Sequence, residues 1–416
     1  MTLPANPWTL RCTECGATFQ ESEVRYVCPS CTTLQIAGGT TRGVLEVHWE
    51  PSVLREGWSR CQNGPRGLER FRGLLPLGPT APKIPLIVGD TPLSEVPRLR
   101  ERLGMGKLHL KDETRNPSAS YKDRASALVC MKAAEYGEHT IVAASTGNAA
   151  TALACMAAAL GQRAVIFVPA SAPPAKLVQM LCYGAEVVPV DGTYDQAFEL
   201  SLEATRRFGW YNRNTAFNPF TIEGKKTASL ELVLDLGHGP DAVVIPVGDG
   251  VILSGVAKGF RDLMAAGAID RMPRLIAVQA SGSASIAQAV RSGGELHAVP
   301  DAHTVADSIC VSAPRAGLLA VREVRASQGA GVIVEDAAIL EAIGELARYA
   351  AVFAEPAGAA AYAGLLAALE QGLVSPQEEV VLLVTGHGLK DVTSASKGVR
   401  IPEPLRPDAE ALKERF

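Results

Sequence analysis

Residues Thr140–Val168, TIVAASTGNAATALACMAAALGQRAVIFV, decide how this chain is read. Two runs rich in β-branched residues, at Thr140 to Ala144 and Ala164 to Val168, flank Asn148 to Leu160, a stretch of alanine, leucine and methionine closed by Gly161. Strand, helix and strand of these lengths make a βαβ unit, whose two strands lie parallel in one sheet. Ser145-Thr146-Gly147-Asn148 then falls where the first strand hands over to the helix. Ligands of open α/β sheets collect at that edge. A helix start there also offers backbone N–H groups and the positive end of a dipole to an anion.

The alternation extends in both directions. Helical patterns at Ala125 to Tyr136, Pro174 to Tyr183 and Tyr194 to Phe208, with a strand at Glu186 to Val190, complete one open α/β domain. The pattern restarts with a helix at Glu223 to Leu236, strands at Ala242 to Val247, Leu275 to Gln279, Gly331 to Val334 and Val380 to Val384, and a helix from about Val251. Asp336 is the expected cap for the helix that follows it. The fold class is therefore α/β, with two open parallel-sheet domains. Residues 1–40 are assigned to a separate small unit, 41–115 and 225–416 to a large α/β domain, and 116–224 to a small one. Residues 41–90 read as a wrapping arm, and the tail from Val392, with a charged helix at Asp408 to Phe416, as packing or oligomer contact.

A formal charge of −4 with 47% hydrophobic and 20% charged residues gives no sequence-wide pull toward nucleic acid or anionic membrane. No apolar run reaches the roughly 20 residues of a membrane helix, and the N-terminus lacks the layout of a signal peptide. The expectation is a cytoplasmic protein that acts on a small molecule. Cys12-x-x-Cys15 and Cys28-x-x-Cys31 stand twelve residues apart among turn formers, which reads as a zinc ribbon: two knuckles deliver four thiolates to one structural ion. The alternative is two chance pairs or a redox pair.

Three further stretches carry chemistry. Asn116-Pro117-Ser118-Ala119-Ser120-Tyr121-Lys122-Asp123-Arg124 is a stiff turn running into a lysine at a helix start, the setting of an imine-forming amine that must be held and desolvated. The bland reading is a helix-start lysine paired with Asp123. Pro246-Val247-Gly248-Asp249-Gly250-Val251 follows a strand and precedes a helix, so bare backbone approaches a phosphate. Thr385-Gly386-His387-Gly388-Leu389-Lys390-Asp391 closes the last strand; by itself it reads as a threonine capping a glycine turn.

With these motifs the chain resembles the fold-type II pyridoxal phosphate enzymes, of tryptophan synthase β-like architecture, and most closely the threonine synthases, over about residues 80–392. The resemblance implies pyridoxal 5′-phosphate as cofactor, held by Lys122, Asn148, Gly248, Asp249, Gly250, Val251 and Thr385. It implies Lys122 as the catalytic base, and Ser145, Thr146 and Gly147 on the carboxylate of a small amino-acid substrate. Thr385 would meet the pyridine nitrogen with a neutral hydroxyl, which favours elimination and replacement over transamination. Glu355-Pro356-Ala357-Gly358 matches a family segment beside the cofactor and equally reads as a plain helix start. The implied activity is amino-acid biosynthesis, O-phosphohomoserine and water giving threonine and phosphate, in a homodimer. The family's phosphate loop is Gly-Asn-Ala-Gly-Asn, and Asp249, Val251 and Ile252 depart from it. Ala216 and Thr221 stand where the family places a serine and an arginine for the substrate phosphate. Arg213, Lys176, Lys225 and Lys226 are the cations that can replace them. The departure keeps a second activity open, β-elimination or β-replacement on serine, threonine or an activated serine. A catalytically silent binding protein is the third.

Overall fold

The structure is a computed structural model, and it describes residues 6–36, 38–172, 174–407 and 409–415. Asp408 and Phe416, the two ends of the tail helix read from the sequence, lie outside them; the helix Ala409–Arg415 lies within.

Thirteen strands are described: β1 (Trp8–Cys12), β2 (Thr18–Phe19), β3 (Leu45–Trp49), β4 (Leu93–Glu95), β5 (Lys107–Asp112), β6 (Thr140–Ala144), β7 (Arg163–Pro169), β8 (Glu186–Val190), β9 (Tyr211–Asn212), β10 (Ala242–Pro246), β11 (Arg274–Ala280), β12 (Ala330–Val334) and β13 (Glu379–Val384). They form a four-stranded parallel sheet of order β8-β7-β6-β9 and a six-stranded sheet of order β12-β11-β10-β13-β5-β4, in which β4 alone is antiparallel. Helices between parallel strands cover both faces, so the central strands are apolar throughout: all five residues of β10 and all six of β13 are buried. The βαβ unit quoted above appears with its helix at Asn148–Leu160, closed by Gly161 in the left-handed region.

The sites of interest lie at C-terminal strand ends. β6 runs into Ser145, β10 into Gly248 and β13 into Thr385. The lysine turn is fastened to the last of these: the Tyr121 N–H donates to the Thr385 carbonyl at 2.9 Å, and Ser120 bridges Gly386.

The N-terminal segment is less independent than its composition suggests. β3, beyond residue 40, pairs antiparallel with β1, Trp8 opposite Trp49, and β2 completes a three-stranded sheet. Its apolar face joins the main core, with Trp8 edge-on to Phe220 and Tyr26 stacked on Phe217 at 4.6 Å. The helix read as Glu223 to Leu236 is two helices, Phe220–Lys225 and Thr227–Leu236, meeting at Lys226. The arm from residue 41 to 90 holds β3, the helix Pro51–Cys61 and a 3₁₀ segment, Gly67–Leu74.

Candidate active site

Lys122 opens the helix Lys122–Glu135. The turn before it is pinned by Asp123, whose carboxylate accepts from the Ser118 N–H at 2.6 Å and from the Ser118 hydroxyl. Ala119 takes a left-handed φ of 66° to make this turn. Asp123 is thus occupied with the loop and does not pair with Lys122. No ion pair reaches the Lys122 amine among the described residues, and burial lowers its pKa, with Glu355 and Asp249 acting against the shift and Arg213 with it. An amine in that state is more readily neutral, hence more nucleophilic, than an exposed lysine.

Two adjoining cavities open on Lys122. The smaller, about 70 Å³, is walled by Gly248, Asp249, Gly250, Val251, Thr385 and Lys225. The larger, about 440 Å³, is walled by Ser145, Thr146, Gly147, Asn148, Arg213 and Arg315. Lys122, Thr215, Asp249, Ser308 and Val311 border both. Every residue that the resemblance assigns to the cofactor or to the substrate carboxylate therefore borders one of the two cavities that open on Lys122, and the four cysteines stand apart from them.

The glycines of the smaller cavity are required by close approach. A Cβ on Gly248 would lie 2.9 Å from the Ile309 Cα, and one on Gly250, at φ 86°, would lie 2.8 Å from the Ala320 Cβ. Gly250 precedes the helix Val251–Ala265, which no side chain among the described residues caps, so its first N–H groups are left for a ligand in the cavity. The Asp249 carboxylate accepts from the Arg315 N–H at 3.3 Å and the Asp249 carbonyl from the Ala316 N–H at 2.9 Å. The aspartate therefore has a structural partner in the loop opposite.

On the other side, no side chain caps the helix Asn148–Leu160 either, and the Ser145 hydroxyl accepts only from the Gly147 N–H, at 3.3 Å. Ordinary capping does not account for the Ser-Thr pair. Asn148 donates to Glu355, and Glu355 donates its backbone N–H to the Gly386 carbonyl at 3.0 Å. Glu355 is thus more than a helix start: it joins the loop after β6 to the loop after β13. Burial raises its carboxyl pKa, opposed by the hydrogen bond from Asn148.

Ala216 and Thr221 line neither cavity; both are buried, and the Thr221 hydroxyl donates to the Asn218 carbonyl at 2.7 Å. Of the four cations named for the substrate phosphate, Lys226 is paired with Glu223 and Asp262, and Lys176 with Asp307. Arg213 and Lys225 are buried, face the cavities and lack a carboxylate partner among the described residues. The loop carrying Ser308 and Val311 escaped sequence reading: its residues follow no period and match no motif.

The residues present suit pyridoxal phosphate: a desolvated amine, a backbone cradle that excludes Cβ atoms, two uncapped helix starts and unpaired buried cations. At the N-terminus the four thiol sulfurs of Cys12, Cys15, Cys28 and Cys31 lie within 4.8 Å of one another, a soft donor set suited to zinc.

Comparison with known proteins agrees with this geometry. The family described as pyridoxal-phosphate dependent enzyme matches residues 84–386. A threonine synthase of Methanosarcina acetivorans is 33% identical over 408 residues, 97% of this chain and 98% of its own. One of Synechocystis is 37% identical over 352 residues, covering 83% of this chain and 90% of its own. Among solved structures, maize serine racemase superposes with a TM-score of 0.65 at 23% identity, over 82% of this chain and 93% of its own. The processed form of threonine deaminase isoform 2 from Solanum lycopersicum gives 0.62 at 26% identity, over 74% and 87%. A chain matched by that family over most of its length, with threonine synthases aligned nearly end to end, belongs to the pyridoxal-phosphate dependent enzymes and is a lyase related to the threonine synthases.

Proposed function

We propose that this chain converts O-phosphohomoserine and water to threonine and phosphate. The observation that carries the proposal is the Lys122 amine, desolvated, free of any ion pair among the described residues, and set on the border of both cavities. Pyridoxal phosphate, when bound, supplies the electron sink that makes the protons of an attached amino acid acidic. Lys122 would hold it through Nζ. The Gly248–Val251 backbone and the start of the helix Val251–Ala265 would take its phosphate, Thr385 would serve its ring nitrogen, and Asn148, held by Glu355, its ring oxygen. Ser145, Thr146 and Gly147 bind the substrate carboxylate at the uncapped start of the helix Asn148–Leu160. With its Nζ freed by the substrate amine, Lys122 would take the proton from Cα, pass it on and, neutral again, take one from Cβ as the Cγ–O bond breaks and phosphate leaves with the electron pair. Protons then return to Cγ and Cα and the oxygen of water adds at Cβ, its released proton balancing the phosphate, which gives threonine.

Cys12, Cys15, Cys28 and Cys31 hold one structural zinc in the same proposal, supported by their clustering and by the chemistry of thiolates. Nine cysteines without a disulfide suit a reducing, cytoplasmic setting. The division into a small domain bearing Lys122 and a large one bearing Thr385 is supported by the two separate sheets, of four and six strands.

The test is incubation of the holoenzyme with O-phosphohomoserine, serine and threonine, with phosphate, ammonia and keto acid assayed together. Phosphate with threonine is the expected outcome. Ammonia and keto acid from serine or threonine, without phosphate from O-phosphohomoserine, would replace this reading with β-elimination, and no turnover of any substrate would leave a binding protein.

A further inference from the structure

The larger cavity is walled by three cations, Lys122, Arg213 and Arg315. Arg315 is paired with Asp195 at 2.5 Å. Among the described residues Arg213 has no such partner: its Nε donates to the Ser126 hydroxyl at 3.1 Å, its Nη1 to the Thr215 hydroxyl at 3.4 Å, and its Nη2 to none. The residue is 1% exposed. A buried guanidinium with an open N–H group is costly to the fold and is kept where something else meets it.

Its position says what that is. Arg213 directly follows β9, and its N–H donates to the Val142 carbonyl of β6 at 2.8 Å. It therefore stands beside the strand end from which Ser145-Thr146-Gly147-Asn148 emerges, in the same cavity as that loop and Lys122. An amino acid whose carboxylate sits on the loop and whose Cα faces Lys122 extends its side chain into a space with one unpaired fork donor. We propose that Arg213 binds an anionic group on the side chain of the substrate, in the role that Ala216 and Thr221 cannot fill. The assignment rests on the function proposed above and names the residue of this chain that would meet the substrate phosphate; the same fork would accept a phosphonate or carboxylate placed beyond Cβ. Planar guanidinium meets such oxyanions with two parallel hydrogen bonds, which a lysine only partly replaces.

The test is a spectral titration of the holoenzyme with L-2-amino-5-phosphonopentanoate and with L-norvaline, its counterpart with a neutral side chain. The unmodified enzyme is expected to bind the phosphonate about 30-fold or more tightly than norvaline. Arg213→Gln should bring that ratio close to one while leaving norvaline affinity unchanged, and Arg213→Lys should restore part of it. A ratio that survives in Arg213→Gln, an equal loss of both ligands, or an unmodified enzyme without preference for the phosphonate would overturn the assignment. Phosphate release from O-phosphohomoserine separates the two claims. An enzyme that shows the Arg213-dependent preference yet releases no phosphate keeps this inference and loses the threonine synthase reading. One that releases phosphate with the same kcat/KM with and without Arg213 does the reverse.

Discussion

The Asn148 side-chain NH2 donates to both carboxylate oxygens of Glu355, at 2.8 and 3.0 Å, joining the loop after β6 to the start of the helix Pro356–Glu370. The carboxylate occupies the space beside Gly386: a Cβ there would lie 2.3 Å from Glu355 Oε1 and 2.6 Å from its Cδ, so a side chain at this position requires the carboxylate to shift. Gly386→Ala is therefore expected to push Glu355 off Asn148, at a stability cost of about 1–3 kcal/mol and a loss of about tenfold or more in kcat/KM. Urea unfolding and steady-state kinetics measure the two; full activity in a folded variant would separate the glycine from the site.

Lys225 is a buried cation beside the cradle, and burial drives its pKa well down, followed by repulsion from Arg213 and Lys122. Between that lowered value and the ordinary lysine value the unfolded chain carries a proton that the folded chain has given up, so stability rises with pH across this window. In cofactor-free protein, Lys225→Met is expected to raise stability at about pH 7 by roughly 1–4 kcal/mol, with the gain shrinking toward about pH 10. The same variant should bind pyridoxal phosphate more weakly, since the cradle loses an amine that a bound phosphate dianion would hold protonated. Denaturation at the two pH values and a cofactor titration check both; a gain that does not shrink with pH would mean that the amine is not titrating in the fold.

The N-terminal sheet packs Trp8 on Phe220 and Tyr26 on Phe217. One zinc per chain is expected, and Cys12→Ser should lose it and cost at least about 2 kcal/mol of stability while sparing the absorbance of the bound cofactor. Metal analysis and thermal unfolding read this directly, and full metal content in the variant would exclude Cys12 as a ligand.

The alternating elements were legible because local and tertiary preferences agree in them. The helix Tyr194–Phe208 has a capping box from Thr193 and Gln196 at one end and Gly209 at φ 70° at the other, all local signals. The break at Lys226 was marked only by Gly224, which lies so close to the Arg124 carbonyl that no Cβ fits. The ribbon looked self-contained because its motif is short, whereas the residues that fasten it, Trp8, Tyr26 and Trp49, look like any aromatic residue in sequence. The motifs around Lys122 were legible for the same reason that they converge: each follows a strand. The substrate pocket was harder. Family positions pointed to Ala216 and Thr221, and the structure turns both into packing while it brings Arg213 to the cavity from a β-strand end.

The central claim is that Lys122 carries the cofactor. Borohydride reduction of the holoenzyme followed by peptide mapping is expected to find one phosphopyridoxyl group per chain, on Lys122, and none in Lys122→Ala, which should also lose all turnover while remaining folded. A reduced adduct on Lys225 or any other lysine of the unmodified enzyme, with Lys122 unlabelled, would contradict the account.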